Sequence, residues 1–271
     1  MSRLVPRARL IYRAFRYRWK LDPAEVAFLR MHTAPATTAV DIGAHKGGYT
    51  YWLAQKVGPH GRVIAFEPQP VLAERLRHSL PWAERVTVEN MGLSDRCGSL
   101  TLFVPGKKPS PGASFERTEV TAGSGRQIAV QVSTLDVYWR AHSGPRVSFI
   151  KCDVEGHELR VFHGAEATIR QGRPVLLFEC EQRHHGNRDM REVFAYLEGL
   201  NYRGFFFQHG QLRPVAEFDP VKCQNPQAPG LYCNNFAFLP RSAANETAYA
   251  GSNAHSLPKS LSVAHDAPGT T

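Results

Sequence analysis

The stretch from Ala39 to Ala54 reads AVDIGAHKGGYTYWLA and is the most informative part of the chain for its fold class. An apolar run ends at Asp41, a glycine-spaced turn follows, and the residues after Gly47 are typical of a helix. A buried strand that leads through such a turn into a helix is the opening unit of an α/β domain. Turns of this kind hold cofactors in parallel sheets, although a tight corner without a ligand would need the same glycines.

The rest of the chain continues this alternation of strands and helices. Further buried strands are predicted for the apolar runs GRVIAFEP (61–68), RVTVEN (85–90), VSFIKCD (147–153) and PVLLFECE (174–181). Helical patterns lie between them, at 47–58, 70–80, 155–172 and 187–202. Residues 204–215 and 234–240 are typical of an antiparallel pair that closes the sheet. The sequence therefore predicts an α/β fold with a mostly parallel central sheet, helices on both faces and an antiparallel closing strand pair.

Three regions are predicted along the 271 residues: a basic amphipathic lead segment at 1–22, a domain at 23–240 and a disordered tail at 241–271. The domain contains a β-rich insertion around 95–133. In the lead segment, an apolar stripe has helical spacing and comprises Leu4, Ala8, Ile11, Phe15 and Trp19. Such a segment packs on the domain or frays, or it docks on an anionic membrane surface or a partner.

The charge of the chain is concentrated at its start. The net charge is +9, but residues 1–20 hold seven Lys and Arg and no acidic residue, which leaves 26 basic against 24 acidic residues elsewhere. This nearly neutral body argues against a specific nucleic-acid partner. The sequence has no apolar run of membrane-spanning length and no secretory signal, and its five cysteines lack the paired spacing of a zinc site. A cytoplasmic protein without a metal site is predicted.

The glycine turn does not have the spacing of a phosphate-binding loop. A dinucleotide loop needs a glycine where His45 stands, and the Gly-Lys-Ser/Thr of a Walker loop is missing. The pattern Asp41-x-Gly43-x-x-x-Gly47 suits the amino-acid end of a ligand, because the helix N-terminus can meet a carboxylate and Asp41 an ammonium group. Glu67, at the end of the next strand, suits a ribose diol. The two ends together describe S-adenosylmethionine.

The sequence resembles the FkbM family of S-adenosylmethionine-dependent methyltransferases, which have a Rossmann-like fold. The resemblance rests on VDIGAHKGGYT, VIAFEP, ENMGLSD, STLDVYW and above all FIKCDVEGHELRVFHGA, and it covers roughly residues 38–200. It implies methyl transfer to a hydroxyl of a sugar, glycan or natural-product small molecule. The expected cofactor-binding residues are Asp41, Gly43, His45, Gly47, Tyr49, Thr50, Glu67, Asn90, Ser94 and Asp153.

Carboxylates and histidines after the later strands are the candidate catalytic groups. Asp153, Glu155 and His157 follow the strand 147–153, and Glu179 ends the next one. A hydroxyl acceptor is a poor nucleophile, so a base among these residues would assist the transfer. Alternatively, Asp153 or Glu155 caps a helix, His184 is the base, or the acids hold a divalent cation. Asp136 is expected to cap a helix.

Two other functions fit the same residues. The protein could methylate RNA or protein, or it could bind S-adenosylmethionine without catalysis. The acids after the later strands argue against a pure binding module, since binding alone does not need them. Residues 106–125, rich in Gly, Pro and Ser, are predicted to act as a lid or acceptor loop.

Overall fold

The structure is a computed structural model, and it describes residues 4–117, 125–142, 144–228, 232–242 and 255–256. The strands are β1 Thr38–Ile42, β2 Arg62–Phe66, β3 Val86–Glu89, β4 Gly92–Leu93, β5 Gly98–Pro105, β6 Gly125–Ser133, β7 Val147–Cys152, β8 Val175–Glu179, β9 Tyr202–Gln208, β10 Gln211–Pro214, β11 Asn235–Pro240 and β12 His255–Ser256. The helices are α1 Leu4–Arg16, α2 Pro23–His32, α3 Gly48–Val57, α4 Pro70–Ser79, α5 Leu135–Ala141, α6 Glu158–His163, α7 Glu166–Gly172, α8 Arg191–Gly199 and α9 Pro220–Cys223. A π-helical turn, Tyr17–Leu21, joins α1 to α2.

The central sheet has the order β12-β10-β9-β11-β8-β7-β1-β2-β3 among the described residues. Strands β3, β2, β1, β7 and β8 run parallel to one another, and β11 pairs antiparallel with both β8 and β9. This arrangement confirms the predicted fold class. The first strand of the sheet is β1. The chain adds β2 and β3 on one side of β1 and later adds β7 on the other side, so the carboxyl ends of β1 and β7 flank a crevice suited to a ligand.

Helices cover both faces of this sheet, and alternate side chains of each strand reach opposite cores. Val40 and Ile150 face α5 to α8, whereas Ala39 and Phe149 face α1 to α4. The strands are buried on both faces, which is why they read as continuous apolar runs in the sequence.

Residues 92–133 form a second sheet with the order β4-β6-β5. Strands β5 and β6 pair antiparallel over eight residues each, and β4 runs parallel to β6. The insertion at 95–133 thus contains a long hairpin, and residues 110–115, which follow β5, reach the crevice. Residues 118–124 of the predicted lid lie outside the described residues.

The predicted helix 155–172 is interrupted at Gly164. A Cβ at this position would lie 2.0 Å from the carbonyl oxygen of Ser94, so the chain packs there by backbone contact. The helix is therefore divided into α6 and α7. Asp136 caps the second piece by accepting from the amides of Ala167 and Thr168, and Thr134 instead caps α5, where it accepts from Val137 N.

The lead segment is helical but buries a different face from the predicted stripe. Leu10 and Ala14 are buried, whereas Phe15 and Trp19 are 41% and 52% exposed. The Nε1 of Trp52 in α3 donates to the carbonyl of Ala14 at 2.9 Å, which brings α1 close to α3. The small side chain of Ala14 allows this approach, and a pattern based on large apolar residues does not detect it. Docking of the exposed face on a membrane remains a prediction.

The tail predicted to be disordered lies outside the described residues except for 241–242 and the short strand β12. Strand β12 pairs with β10 through two residues, Ser256 and His255. Within the described part of the chain, no helix is long and apolar enough to cross a membrane.

Candidate active site

A cavity of about 200 Å³ lies at the carboxyl ends of β1, β2, β7 and β8. Each of these strands delivers a carboxylate to it: Asp41 within β1, Glu67 after β2, Asp153 after β7 and Glu179 at the end of β8. The sequence predicted all four at this edge of the sheet, because the carboxyl ends of parallel strands lie together along one edge.

The glycine loop passes directly over Asp153. Gly43 has a φ of +80°, and a Cβ on it would lie 1.9 Å from the carbonyl oxygen of Asp153. Gly43 is therefore required by backbone contact as well as by its left-handed conformation. Gly47 also has a positive φ, +78°, but a Cβ there would meet the side chains of Leu76 and Leu10. Gly47 thus packs against helices and does not line the cavity, contrary to its predicted contact with the cofactor; its neighbour Gly48 does line it.

Asp41 and Thr50 form a buried pair at the start of α3. The Thr50 hydroxyl donates to Asp41 Oδ2 at 2.5 Å, and burial raises the pKa of Asp41. Asp41 lines the cavity, but Thr50 is fully buried behind it. Thr50 therefore orients Asp41 from behind, which corrects its predicted direct contact with the cofactor.

Glu67 is buried and accepts two backbone hydrogen bonds. His45 N donates to its Oε2 at 2.7 Å and Gln69 N to its Oε1 at 2.8 Å. Burial nevertheless raises the pKa of Glu67 to about 7, with the Asp41 and Asp153 carboxylates adding to the increase. The glycine loop and the β2 end are thus joined through this one carboxyl group.

His45 takes the place of a glycine in the loop and lines the cavity with an imidazole. Its Nε2 is buried and has no hydrogen-bond partner among the described residues. Burial, with the charges of Lys46 and Arg13, lowers the pKa of His45 to about 4. A neutral imidazole with an unused nitrogen is consequently available to a ligand in the cavity.

Two predicted cofactor residues, Asn90 and Ser94, do not line the cavity. The Asn90 amide donates to the carbonyls of Glu67 and Pro68 at 3.0 and 3.2 Å, which fastens the loop after β2. Ser94 is fully buried, and its hydroxyl lies 2.9 Å from His157 Nε2. Both side chains therefore bind neighbouring protein groups around the cavity. Their positions in the sequence did not indicate these hydrogen-bond partners.

Asp153, Glu155 and Glu179 converge on the floor of the cavity. The Asp153 side chain is 37% exposed to the cavity yet lies deep in the protein, and this burial raises its pKa to about 7. Burial and the Asp153 carboxylate raise the pKa of Glu179 well above its usual range. Asn234 Nδ2 donates to Glu179 Oε1 at 2.7 Å, and Glu155 Oε2 lies 2.9 Å from His184 Nε2.

Lys151 is the functional candidate that sequence reasoning missed. Its Nζ lies 3.8 Å from Asp153 Oδ2 and 5.0 Å from the centre of the Tyr49 ring. Burial lowers its pKa, but the negative charges of Asp153, Glu179 and Asp41 together raise the pKa by more than burial lowers it. The ammonium therefore stays charged. The signal was present in the sequence as a lysine inside the otherwise apolar run VSFIKC.

Tyr49 lines one side of the cavity, and its contact with the cofactor stays a prediction. Its hydroxyl donates to Asp22 Oδ2 at 2.8 Å, and its ring lies edge-on to Tyr17 with centroids 5.4 Å apart. Tyr17 and Arg13 also line the cavity, so the lead segment forms part of its wall. The Arg13 guanidinium donates to the carbonyl of Lys46 in the glycine loop at 3.1 Å.

His157 does not line the cavity, which corrects its assignment as a catalytic candidate. It is 3% exposed, with Nδ1 2.8 Å from Glu116 Oε1 and Nε2 2.9 Å from the Ser94 hydroxyl. Both ring nitrogens are therefore engaged in holding the hairpin insertion to the start of α6. The partner Glu116 lies 41 residues upstream, so no local pattern around His157 indicates it.

The described part of the predicted lid loop packs over the cavity. Ser110, Pro111, Ala113 and Phe115 line it. The Gln69 side chain binds both the carbonyl and the amide of Ser110, at 2.8 and 3.0 Å. The hairpin is thus connected to the same loop that carries Glu67.

Comparisons with known proteins give a consistent family. The model of the methyltransferase FkbM domain matches residues 41–204. The 2-O-methyltransferase NoeI of Sinorhizobium fredii is 24% identical over 181 residues, which are 60% of this chain and 72% of that protein.

Two solved structures are similar in fold. The methyltransferase FkbM from Methylobacillus flagellatus is 16% identical with a TM-score of 0.47, covering 84% of this chain and 53% of that one. Cofactor-bound Rv0187 from MTB is 17% identical with a TM-score of 0.48, covering 85% and 87%. The chain thus spans about half the length of the Methylobacillus protein. Because the family model matches more than half of its residues, this chain belongs to the FkbM methyltransferase family, as its sequence motifs predicted.

Proposed function

We propose that the protein is an S-adenosylmethionine-dependent O-methyltransferase whose acceptor is a hydroxyl group of a sugar, glycan or natural-product small molecule. The observation that carries the proposal is the convergence of Asp153, Glu155 and Glu179 on one cavity floor, next to the glycine loop. A cofactor-binding module without catalysis would not need three carboxyl groups there, because each is costly to bury.

The residues of the cavity fit S-adenosylmethionine. The unpartnered Nε2 of His45 offers a hydrogen bond, and the loop at Gly43 leaves no side chain between the cavity and the Asp153 backbone. Asp41 suits the ammonium group of the cofactor and Glu67 its ribose hydroxyls. Carboxylates on the floor favour a positively charged sulfonium.

When bound, S-adenosylmethionine supplies an electrophilic methyl group. The contribution of the chain is to orient the acceptor hydroxyl and to take its proton. Asp153 suits this role because its pKa of about 7 is close to the operating range of a general base. The Lys151 ammonium, 3.8 Å away, favours the ionised form of Asp153. Glu155 and Glu179 are placed to hold the acceptor by hydrogen bonds.

Two observations support an uncharged hydroxylated acceptor over RNA or protein. Outside residues 1–20 the chain carries 26 basic against 24 acidic residues, and this near neutrality argues against a polyanionic acceptor. The relative NoeI is named a 2-O-methyltransferase.

The test is methyl transfer from labelled S-adenosylmethionine to a panel of glycans and hydroxylated small molecules, with RNA and protein as competing acceptors. We expect label in a glycan or small molecule, in a form that survives mild base, as an ether does and an ester does not. Label in RNA or protein alone would contradict the proposed acceptor class.

The role of Asp153 is tested on the acceptor so identified. Asp153→Asn keeps the shape and removes the charge, so we expect turnover to fall by about 10²–10⁴-fold. The matched control is Asp189→Asn, an exposed carboxylate paired with Arg191, for which we expect unchanged turnover. Near wild-type turnover of Asp153→Asn would exclude Asp153 as the base.

A further inference from the structure

Three side chains with metal-binding atoms meet in the protein interior, beside the active site but outside its cavity. Glu158 is the first residue of α6, Cys180 directly follows β8, and His185 lies in the loop after it. Their exposed fractions are 0%, 1% and 5%. Neither the proposed reaction nor the cofactor uses these groups, and such a combination of acid, thiol and imidazole is rare in an apolar core.

The spacing of the three atoms fits one coordination sphere. Cys180 Sγ lies 3.2 Å from His185 Nε2 and 3.9 Å from Glu158 Oε2, and the nitrogen and oxygen are 3.3 Å apart. Zinc bonds of about 2.0–2.3 Å in tetrahedral directions place neighbouring ligand atoms roughly 3.3–3.8 Å apart. The cluster therefore has nearly the dimensions of a zinc site without any rearrangement.

The charges of the three side chains and the orientation of Glu158 also fit a zinc ion. A zinc ion with one thiolate, one carboxylate and one neutral imidazole has no net charge, which suits the buried position of the three side chains, of which Cys180 belongs to the hydrophobic core. The second oxygen of Glu158 accepts from Gly156 N at 2.9 Å, which fixes the carboxylate with Oε2 towards the cluster. Outer hydrogen bonds of this kind orient ligands in metal sites.

We propose that Glu158, Cys180 and His185 bind one zinc ion, at a site with three protein ligands that joins the start of α6 to the loop after β8. The three residues supply three of four tetrahedral positions.

A zinc ion at this site would hold together two segments of the chain, the turn before α6 and the loop after β8. A Cβ on Gly156 would lie 2.3 Å from the carbonyl oxygen of His184, so the two segments meet by backbone contact. Glu155, which lines the cavity, has its Oε2 2.9 Å from Nε2 of His184 on the other segment. A zinc ion held by Glu158 and His185, which lie next along the same two segments, would fix the segment that carries Glu155 against the loop after β8.

The competing arrangement is a metal-free chain of hydrogen bonds between the same three side chains. Burial and the Glu158 carboxylate raise the pKa of the Cys180 thiol, so without a metal it remains protonated. Zinc binding releases that proton, and the two arrangements therefore differ in metal content, in the state of the thiol and in stability.

The first experiment measures zinc in the full-length protein purified without chelator. We expect about one ion per chain in the wild type and its loss in Cys180→Ser and His185→Asn. The control is Cys223→Ser, which alters another buried cysteine of the same core and should keep the ion. Zinc retained in full by Cys180→Ser, or lost equally in Cys223→Ser, would overturn the assignment.

A second experiment remains decisive if a variant fails to fold. The wild-type protein is stripped with chelator and titrated with Co²⁺ alone, and we expect the ultraviolet band of a cobalt–thiolate bond at an equimolar end point. Chelator should also lower the Tm of the wild type. Folded wild type that contains no metal, shows no thiolate band with Co²⁺ and has the same Tm with and without chelator would overturn the proposal. None of these readouts depends on methyl transfer.

Discussion

Glu67 serves two purposes with one carboxyl group. It accepts the backbone amides of His45 and Gln69, and so joins the glycine loop to the end of β2. Each oxygen of a carboxylate has a second lone pair, so ribose hydroxyls can still donate to Glu67. Because the pKa of Glu67 is about 7, both its neutral and its ionised forms are present near neutral pH. A ligand that donates hydrogen bonds to the carboxylate favours the ionised form.

We predict that Glu67→Gln weakens S-adenosylmethionine binding by roughly 10–100-fold, the equivalent of about 1.5–3 kcal/mol for hydrogen bonds to a charged group. The amide keeps the volume of the side chain but removes the charge and one acceptor. Titration calorimetry measures the effect, with Glu74→Gln on the exposed face of α4 as the control. Equal affinity in Glu67→Gln and wild type would show that the ribose lies elsewhere.

Residues at strand ends were predictable, and residues that act through distant partners were not. Asp41, Glu67 and Asp153 needed only the location of the strands to be placed at the cavity. His157 lies just after Asp153 in the sequence and was also a candidate, yet Glu116 and Ser94 hold it in place from other parts of the chain. Such contacts depend on tertiary packing, which the local pattern does not contain.

At the scale of elements, α1 and the π-helical turn after it do more than cover the domain. Tyr17 lines the cavity, and its ring passes within 2.9 Å of where a Cβ on Gly48 would stand. The ring therefore covers the N-terminus of α3, where the carboxylate of the cofactor is expected. The sequence predicted a helix here, but only the buried Ala14 and Leu10 show how it is turned.

We predict that Tyr17→Ala weakens S-adenosylmethionine binding by roughly tenfold, because it opens the wall of the cavity to water and removes the aromatic contact with Tyr49. Tyr12→Ala is the matched control, since Tyr12 lies on α1, just before the turn that carries Tyr17, but is 71% exposed. The comparison is made by calorimetry on both variants. A similar change in both, or none in Tyr17→Ala, would contradict a role of this segment in the cavity wall.

The loop of the hairpin insertion depends on Gln69 for its position. Both hydrogen bonds of this side chain go to the backbone of Ser110. We predict that Gln69→Ala speeds amide hydrogen exchange in residues 108–116 by about 5–10-fold, the loss of one net hydrogen bond of about 1 kcal/mol or slightly more. Gln127→Ala, an exposed position on β6, should leave exchange there unchanged. Unchanged exchange in Gln69→Ala would mean that other contacts hold the loop.

At the scale of the whole molecule, charge is separated between the outside and the cavity. The basic excess belongs to the lead segment, whereas the cavity holds Asp41, Glu67, Asp153, Glu155 and Glu179. Charge counts along the sequence revealed the first feature. The second required the sheet, because these carboxylates are scattered over some 140 residues and only parallel strands bring them together. Burial, with mutual repulsion between the carboxylates, raises the pKa of Glu67, Asp153 and Glu179.

These carboxylates should make the relative affinity of the cavity for S-adenosylmethionine and S-adenosylhomocysteine depend on pH. The pKa of Asp153 is about 7, so this group is largely protonated at about pH 6 and largely ionised at about pH 7.5. Ionised Asp153 attracts the positive sulfonium of S-adenosylmethionine but gains nothing from the neutral sulfur of S-adenosylhomocysteine, whereas both ligands share the ribose that Glu67 senses. We therefore predict that the affinity ratio of the two ligands shifts towards S-adenosylmethionine by about 3–10-fold as the pH rises over this interval. Calorimetry with both ligands at both pH values measures the ratio, and Asp153→Asn should make it independent of pH. A ratio that stays constant in the wild type, or that shifts equally in Asp153→Asn, would place the sulfonium away from Asp153.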